Sequence, residues 1–402
     1  MMSLKATGCA LAALLAFGGA AQAQISGNVI KIGILNDQSG VFSDSSGLGS
    51  VQAALMAVED YGGKAGGVPV EIVSADHQNK PDVGALIARR WLDEQGVDAV
   101  ADLGNSAVAF AVLELAKTRN KAILLSAGAS NDFTGKACAP ITVQWTFDAY
   151  SASNAVVKGI MARGGDSWFY VTADYTYGKN LEEGTRQLVE AAGGKNVGSS
   201  RFPLQNNDFS SNLLQAQASK AKVVAIAAGG NDSGNALKQA NEFGLTKSQT
   251  VTALNGLAQD FFAIGIPTAQ GALASEPFYW DMNDGTRAFS ARYAKRMNGK
   301  MPSMIQAGVY GVVTHYLKAI DKVKNDGGKE AVDAMKALPT DDPLFGKGSI
   351  RADGRKLHPF YLFQVKTPAE SKHPWDLYKT IGTVPADQAF KPMKGGGCPL
   401  VN

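Results

Sequence analysis

Short apolar runs alternate with amphipathic helical stretches along most of this chain, and the rhythm starts twice. The first series has strand-like runs at residues 29–35, 68–74, 99–103, 122–126 and 141–144. Helical patterns fall between them at 49–61, 81–94 and 106–118, and a further one follows at 148–163. The second series begins after Gly164-Gly165-Asp166, with runs at 168–173, 197–202, 223–228 and 250–254 and helices between. Such alternation requires βαβ units, a parallel sheet and helices on both faces. The expected fold is therefore α/β, with two doubly wound parallel-sheet lobes. Later come a strand at 271–280, a long amphipathic helix at 304–325, a hairpin turned at Ala352-Asp353-Gly354, and strands at 359–365 and 377–383.

Composition closes off several functions. Among 402 residues, 39 basic and 36 acidic side chains leave a net charge of +3, with no dense basic run, so no nucleic-acid partner is expected. No Walker loop or nucleophile elbow is present. Gly47-Leu48-Gly49 lacks the third glycine of a dinucleotide fingerprint, because Gln52 stands there. His77 is the only one of the four histidines beside a strand end with an acidic neighbour; a surface or capping role fits it better than a catalytic one. No enzyme chemistry, metal site or cofactor is expected.

The first 23 residues read as a secretory signal. Lys5 precedes a short apolar core, and Ala21-Gln22-Ala23 offers a small-x-small site with cleavage after Ala23. The mature chain is thus expected in the periplasm, retaining Cys138 and Cys398. An even pair in an oxidising compartment suggests a disulfide, with two free thiols as the alternative.

In open α/β sheets, ligands sit at the carboxyl ends of strands. The loops there share small residues, hydroxyls and amides, with aromatics nearby. The first carries Asp37 and Phe42; the next ones carry Asn105-Ser106 and Ser126-Ala127-Gly128. The second lobe offers Tyr175, Tyr177, Gly229, Asn231 and Asn255, then Tyr279 and Trp280. Helix-start N–H groups beside a serine suit a carboxylate, and tyrosine or tryptophan supplies a flat face with a polar handle. That equipment holds a small molecule. Singly, Ser106 or Asp174 is as well explained by capping.

The order of motifs resembles type I periplasmic binding proteins of the branched-chain amino-acid (Leu/Ile/Val) ABC transporter family. The resemblance rests on Ile32-Gly33-Ile34-Leu35 followed by Ser39-Gly40, on Asn79-Lys80-Pro81, Ser126-Ala127-Gly128, Tyr177-Gly178, Asn207-Asp208-Phe209-Ser210 and Ala240-Asn241-Glu242-Phe243-Gly244-Leu245. It implies a three-segment hinge, with residues 24–148 and 278–357 in one lobe and 149–277 in the other, joined there by 358–402. It also implies a monomeric receptor that closes on a ligand and delivers it to an inner-membrane ABC permease/ATPase complex. A sensor on the same fold, without transport, is the alternative. The family's carboxylate grip falls on Ser106 and Ser126–Ala129, and its lobe-two tyrosine on Tyr177. Two positions depart from the pattern. Ala129 stands where amino-acid binders often carry threonine, and Asn255 stands at or beside the acidic residue that pairs with the ligand's ammonium. A desolvated ammonium without a counter-charge is costly. The expectation is therefore a small carboxylate or amide, aromatic ones included, stacked by Phe42, Tyr175, Tyr177, Tyr279 or Trp280, with Asp37 as the nearest replacement charge.

Overall fold

The strand that opens the chain, β1 (Ile30–Asn36), is almost wholly buried and is paired on both sides. This explains its unbroken apolar sequence, since a central parallel strand meets helices on both faces. The computed structural model describes residues 25–401; the expected signal segment and its cleavage site lie outside them. The next strands are β2 (Lys64–Ala65), β3 (Val68–Asp76), β4 (Ala99–Asp102), β5 (Ala122–Leu125) and β6 (Thr142–Gln144). They form one sheet in the order β2-β3-β1-β4-β5-β6, parallel except for the short β2–β3 pair. Pro69 lies in that pair at the sheet edge, where a missing N–H costs least.

The helices of this half are α1 (Gly47–Asp60), α2 (Pro81–Asp93) and α3 (Ser106–Lys117). Pro81 starts α2, and the Asn105 side chain caps α3 by accepting from Ala107 and Val108 N–H. A late helix, Met304–Val323, returns to this half and packs along α1.

The second half repeats the plan. Asp148 and Ser151 form a reciprocal capping box at the start of α4 (Ala149–Met161), which fixes where the chain crosses over. Strands β7 (Ser167–Ala173), β8 (Lys195–Phe202), β9 (Val223–Ala227) and β10 (Thr250–Ala253) then form a parallel sheet in the order β10-β9-β7-β8. Between β7 and β8 lies α5 (Thr176–Ala191).

The late strands differ from an all-parallel expectation. β11 (Leu273–Glu276) joins β15 (Phe360–Val365) and β16 (Tyr378–Val384) in an antiparallel sheet of its own. The expected hairpin is β13 (Gly346–Ile350) against β14 (Lys356–Leu357), with β12 (Thr340–Asp342) alongside. β12, β13 and β14, like β15 and β16, follow one another without an intervening helix, which allows antiparallel pairing, whereas β11 meets β15 only after residues 277–359 have been laid down elsewhere.

The crossings are tied together. Gln144 N–H donates to Gly354 O at 2.9 Å, Arg355 Nη1 donates to Phe147 O at 3.0 Å, and His358 Nε2 lies 3.2 Å from Trp145 O. Cys138 and Cys398 are bonded as a disulfide, with Cα atoms 5.5 Å apart, which pins the tail to the loop after β5.

Candidate functional site

Four aromatic rings from opposite sides of the interlobe cleft form a continuous chain. Phe42, in the loop after β1, lies 6.3 Å from Tyr175, centroid to centroid. Tyr175 lies 6.2 Å from Tyr177, and Tyr177 lies 6.2 Å from Phe147 in an edge-on contact. Between them is a narrow cavity of about 20 Å³, room for about one water molecule in this conformation. The first half also contributes Ser45, Ser46, Gly104, Ala127 and Ile305, and the second half Gly229, Gly230, Asn255 and Leu257. No charged side chain lines this cavity among the described residues.

Two of its polar atoms are uncommitted. The hydroxyl of Tyr177 and Oδ1 of Asn255 are buried without a hydrogen-bond partner. Burial drives the Tyr177 phenol well above its usual pKa, so it stays a neutral donor. Ser106, two residues beyond Gly104, opens α3 behind the cavity and is not part of its lining; its Oγ is buried and unpartnered. Buried polar groups are rarely left so. A helix start with a free hydroxyl and a phenol would satisfy a ligand's oxygen atoms, while the Asn255 Oδ1 would take a donor from the ligand. Gly229 sits beside both Tyr177 and Asn255: a Cβ there would be 3.3 Å from Asn255 Nδ2 and 3.9 Å from the Tyr177 ring.

The halves also touch directly. Asn231 N–H donates to Val41 O at 3.0 Å, so Asn231 contributes its backbone while its side chain faces solvent. Gly230 beside it holds φ +61 and ψ −151, a conformation open to glycine.

Several expected site residues lie elsewhere. Asp37 is buried and its carboxylate is fully engaged: it accepts from Gly40 N–H at 2.7 Å, Phe42 N–H at 2.9 Å and Asn79 Nδ2 at 2.7 Å. It shapes the loop that carries Phe42 and is not a charge facing the cavity. Tyr279 and Trp280 do not stack on a ligand; both donate to Trp375 O, and Tyr279 packs on Phe363 and Tyr378 in the core of the second half. Ser126 is turned away, its hydroxyl donating to Asp102 at 3.1 Å, and Gly128 packs against Leu125 and Leu103. Asn105 caps α3. His77 is buried, accepts from Asn79 N–H through Nδ1, and is pushed down to about 4 by burial, so it is a neutral turn residue.

Sequence reasoning missed Ser45, Ser46, Phe147, Leu257 and Ile305 in the lining. Ser46 precedes α1, where a serine reads as a cap, and Phe147 precedes the Asp148 cap, where an aromatic reads as core.

Residues 29–372 match the family model described as "Periplasmic binding protein". The chain belongs to the periplasmic binding protein family. A periplasmic binding protein from Burkholderia mallei, solved at high resolution, is 40% identical, with a TM-score of 0.91 over 93% of this chain and 100% of that one. A branched chain amino acid ABC transporter periplasmic ligand-binding protein from Burkholderia xenovorans is 38% identical, with a TM-score of 0.82 over 92% of this chain and 99% of that one. A solute-binding protein from Rhodopseudomonas palustris in complex with benzoate shares the fold at 20% identity and TM-score 0.80, over 92% of this chain and 100% of that one. No curated protein matches the sequence. This periplasmic binding protein is thus homologous to ABC transporter substrate-binding proteins, a family that binds solutes rather than turning them over. Among its described residues no helix is long and apolar enough to cross a membrane, and no group of side chains is arranged to hold a metal.

Proposed function

We propose that this protein captures a small, flat organic carboxylate or amide between its lobes and delivers it to an ABC importer. The observation that carries this reading is the cavity itself: aromatic on four sides, with uncommitted hydroxyl and amide groups and no charged lining residue. An α-amino acid would bury its ammonium there without a counter-charge, which is costly. A carboxylate can be met by the α3 start, Ser106 and the Tyr177 phenol; an amide can use the same groups and Asn255. The Burkholderia xenovorans relative supports the importer, and the benzoate-bound neighbour shows that the fold accommodates an aromatic acid.

In this reading the protein works as a monomer in the periplasm after its leader is removed, without catalysis. Residues 24–148 and 278–357 move as one lobe against 149–277 and the C-terminal strands. The ligand bridges the two and favours the closed form through contacts made only there. A thermal-shift screen followed by calorimetry on the mature protein tests it, with benzoates, amides and branched-chain amino acids. Shifts with the aromatic acids or amides are expected; a shift with branched-chain amino acids alone would overturn the reading.

A further inference from the structure

The cavity wall in the first lobe contains a buried carboxylate that reaches the ligand space only through a serine. Asp102 ends β4 and is fully buried, with no cation against it among the described residues. Its Oδ2 accepts from Ser46 Oγ at 2.7 Å and from Asn36 Nδ2 at 2.9 Å, and its Oδ1 accepts from Ser126 Oγ at 3.1 Å. The orientation of the Asn36 amide is fixed by its neighbours. Nδ2 lies 2.8 Å from Gly47 O, which can only accept, and Oδ1 takes the Gln38 amide N–H at 3.2 Å. The two Asn36 Nδ2 protons go to Gly47 O and Asp102 Oδ2, the nearer acceptors, and Nδ2 also lies 3.1 Å from Ser46 Oγ, which it reaches only by sharing one of them.

We propose that Ser46 is a specificity-determining residue of the cleft, presenting a hydrogen-bond acceptor to the ligand, and that Asp102 is the positioning residue that fixes this polarity. Ser46 lines the cavity, and its single proton is committed to Asp102. One lone pair faces Asn36, and what remains for the cleft is the other lone pair. The ligand that satisfies it carries a donor on the edge facing the first lobe: a hydroxyl, an amino or an amide N–H. A ligand offering only acceptors or apolar groups there leaves a buried oxygen unpaired, and hydrogen-bonding sites discriminate strongly against such analogues. This inference rests on reading the cavity as the solute site, and it narrows the ligand to one with a donor opposite its anchoring group.

The test uses matched pairs of near-equal size that differ in one donor. These are 4-hydroxybenzoate against 4-fluorobenzoate, 4-aminobenzamide against 4-fluorobenzamide, and an aliphatic hydroxy acid against its fluoro analogue. Calorimetry on the mature protein should show the donor-bearing member of a binding pair at least about tenfold tighter, a ratio equivalent to one well-placed hydrogen bond. Ser46→Ala should bring the pair to near-equal affinity. Asp102→Ala removes the acceptor and frees the Ser46 proton toward the cavity, so the preference should shrink or reverse, whereas Asp102→Asn, whose oxygen stays toward Asn36 Nδ2 and Ser46, should keep it. A purely structural role for Asp102 would weaken both members alike. Equal wild-type affinities, or a preference that survives Ser46→Ala, would overturn the inference. If only the aliphatic pair binds, and with the donor preference, the aromatic reading of the ligand fails while this inference stands.

Discussion

Asn231 and Val41 join the two lobes by a backbone hydrogen bond of 3.0 Å, made at the edge of the ligand cavity and independent of any side chain. The residue before Asn231 has to be glycine for this to happen. A Cβ on Gly230 would stand 2.3 Å from the same Val41 oxygen and 2.9 Å from the Phe42 ring. This contact between the halves is backbone against backbone, and Phe42 follows Val41 into the cavity lining.

Gly230→Ala should therefore separate closure from binding chemistry. The added methyl meets Val41 O only when the lobes are together, and φ +61 with ψ −151 adds about 1–3 kcal/mol of backbone strain. Ligand affinity should fall at least about tenfold, and ligand-induced compaction by small-angle scattering should be lost. Wild-type affinity with normal compaction would show that the lobes close in some other way.

Tyr177 and Asn255 form the polar wall of the second lobe, and each has a buried oxygen with no protein partner. Tyr177→Phe removes a donor without changing the ring that packs on Tyr175 and Phe147. The unliganded protein should keep or slightly gain stability, because an unpaired buried hydroxyl is costly. Affinity for a carboxylate ligand should drop by about 1–3 kcal/mol. Opposite signs in melting temperature and affinity would identify the hydroxyl as a ligand group. A drop in both would make it structural.

These loops also show how far the residues speak before folding. The strand–helix rhythm was readable because each buried parallel strand needs a continuous apolar run, and β1, β4, β5 and β9 have one. Phe42, Tyr175, Tyr177, Ala127, Gly229 and Asn255 were readable as strand-end residues and do line the cavity. Direction was not readable. Asp37 lies two positions after the Leu35 core residue, but local loop geometry turns its carboxylate onto Gly40 and Phe42 N–H. Tyr279 and Trp280 follow a strand as the others do, but the strand belongs to the antiparallel sheet, which carries them to Trp375. Ser46 was hidden because a serine before a helix is already explained as a cap, although its side chain makes no cap hydrogen bond here.

Stability should fall as pH rises. Asp260 and Glu276 are fully buried, and burial raises each to about 8. The folded chain then holds more protons than the unfolded chain from about pH 4 upward, so the slope of unfolding free energy with pH is negative. The contribution is complete below the unfolded carboxyl values and is lost as pH rises through about 8. Lys356, lowered to about 8 by burial, acts in the opposite direction and only above that pH. Glu276→Gln keeps an oxygen for Ala258 N–H and the Tyr378 hydroxyl. Urea midpoints from pH 6.5 to 8 should decline in the wild type and decline less steeply in this variant, in which Asp260 remains; below that window His77, lowered to about 4 by burial, acts in the opposite direction. An equal decline in both would remove Glu276 as a source.

The Cys138–Cys398 bridge closes a loop spanning 260 positions. Constraining the unfolded chain over so long a loop contributes about 2–4 kcal/mol. The Cys138→Ser/Cys398→Ser double variant should unfold at lower denaturant concentration by that amount, and reduction of the wild type should reproduce it. An unchanged midpoint after verified reduction would mean that the tail is held by its packing alone.

Asp37→Asn distinguishes loop architecture from ligand charge. Three donors converge on the Asp37 carboxylate, and an amide offers one oxygen where two were used, with its NH₂ facing the remaining donors. The loss should be about 1–3 kcal/mol of stability. Because Gly40 and Phe42 hang from this carboxylate, Phe42 should loosen in the cavity, and every ligand should weaken by a similar factor. A residue acting as counter-charge would behave otherwise: cationic ligands would suffer and neutral or anionic ones would be spared or gain. Comparing an amino acid, an amide and a carboxylate on the same variant separates the two. A uniform loss is expected, because the carboxylate points into its own loop.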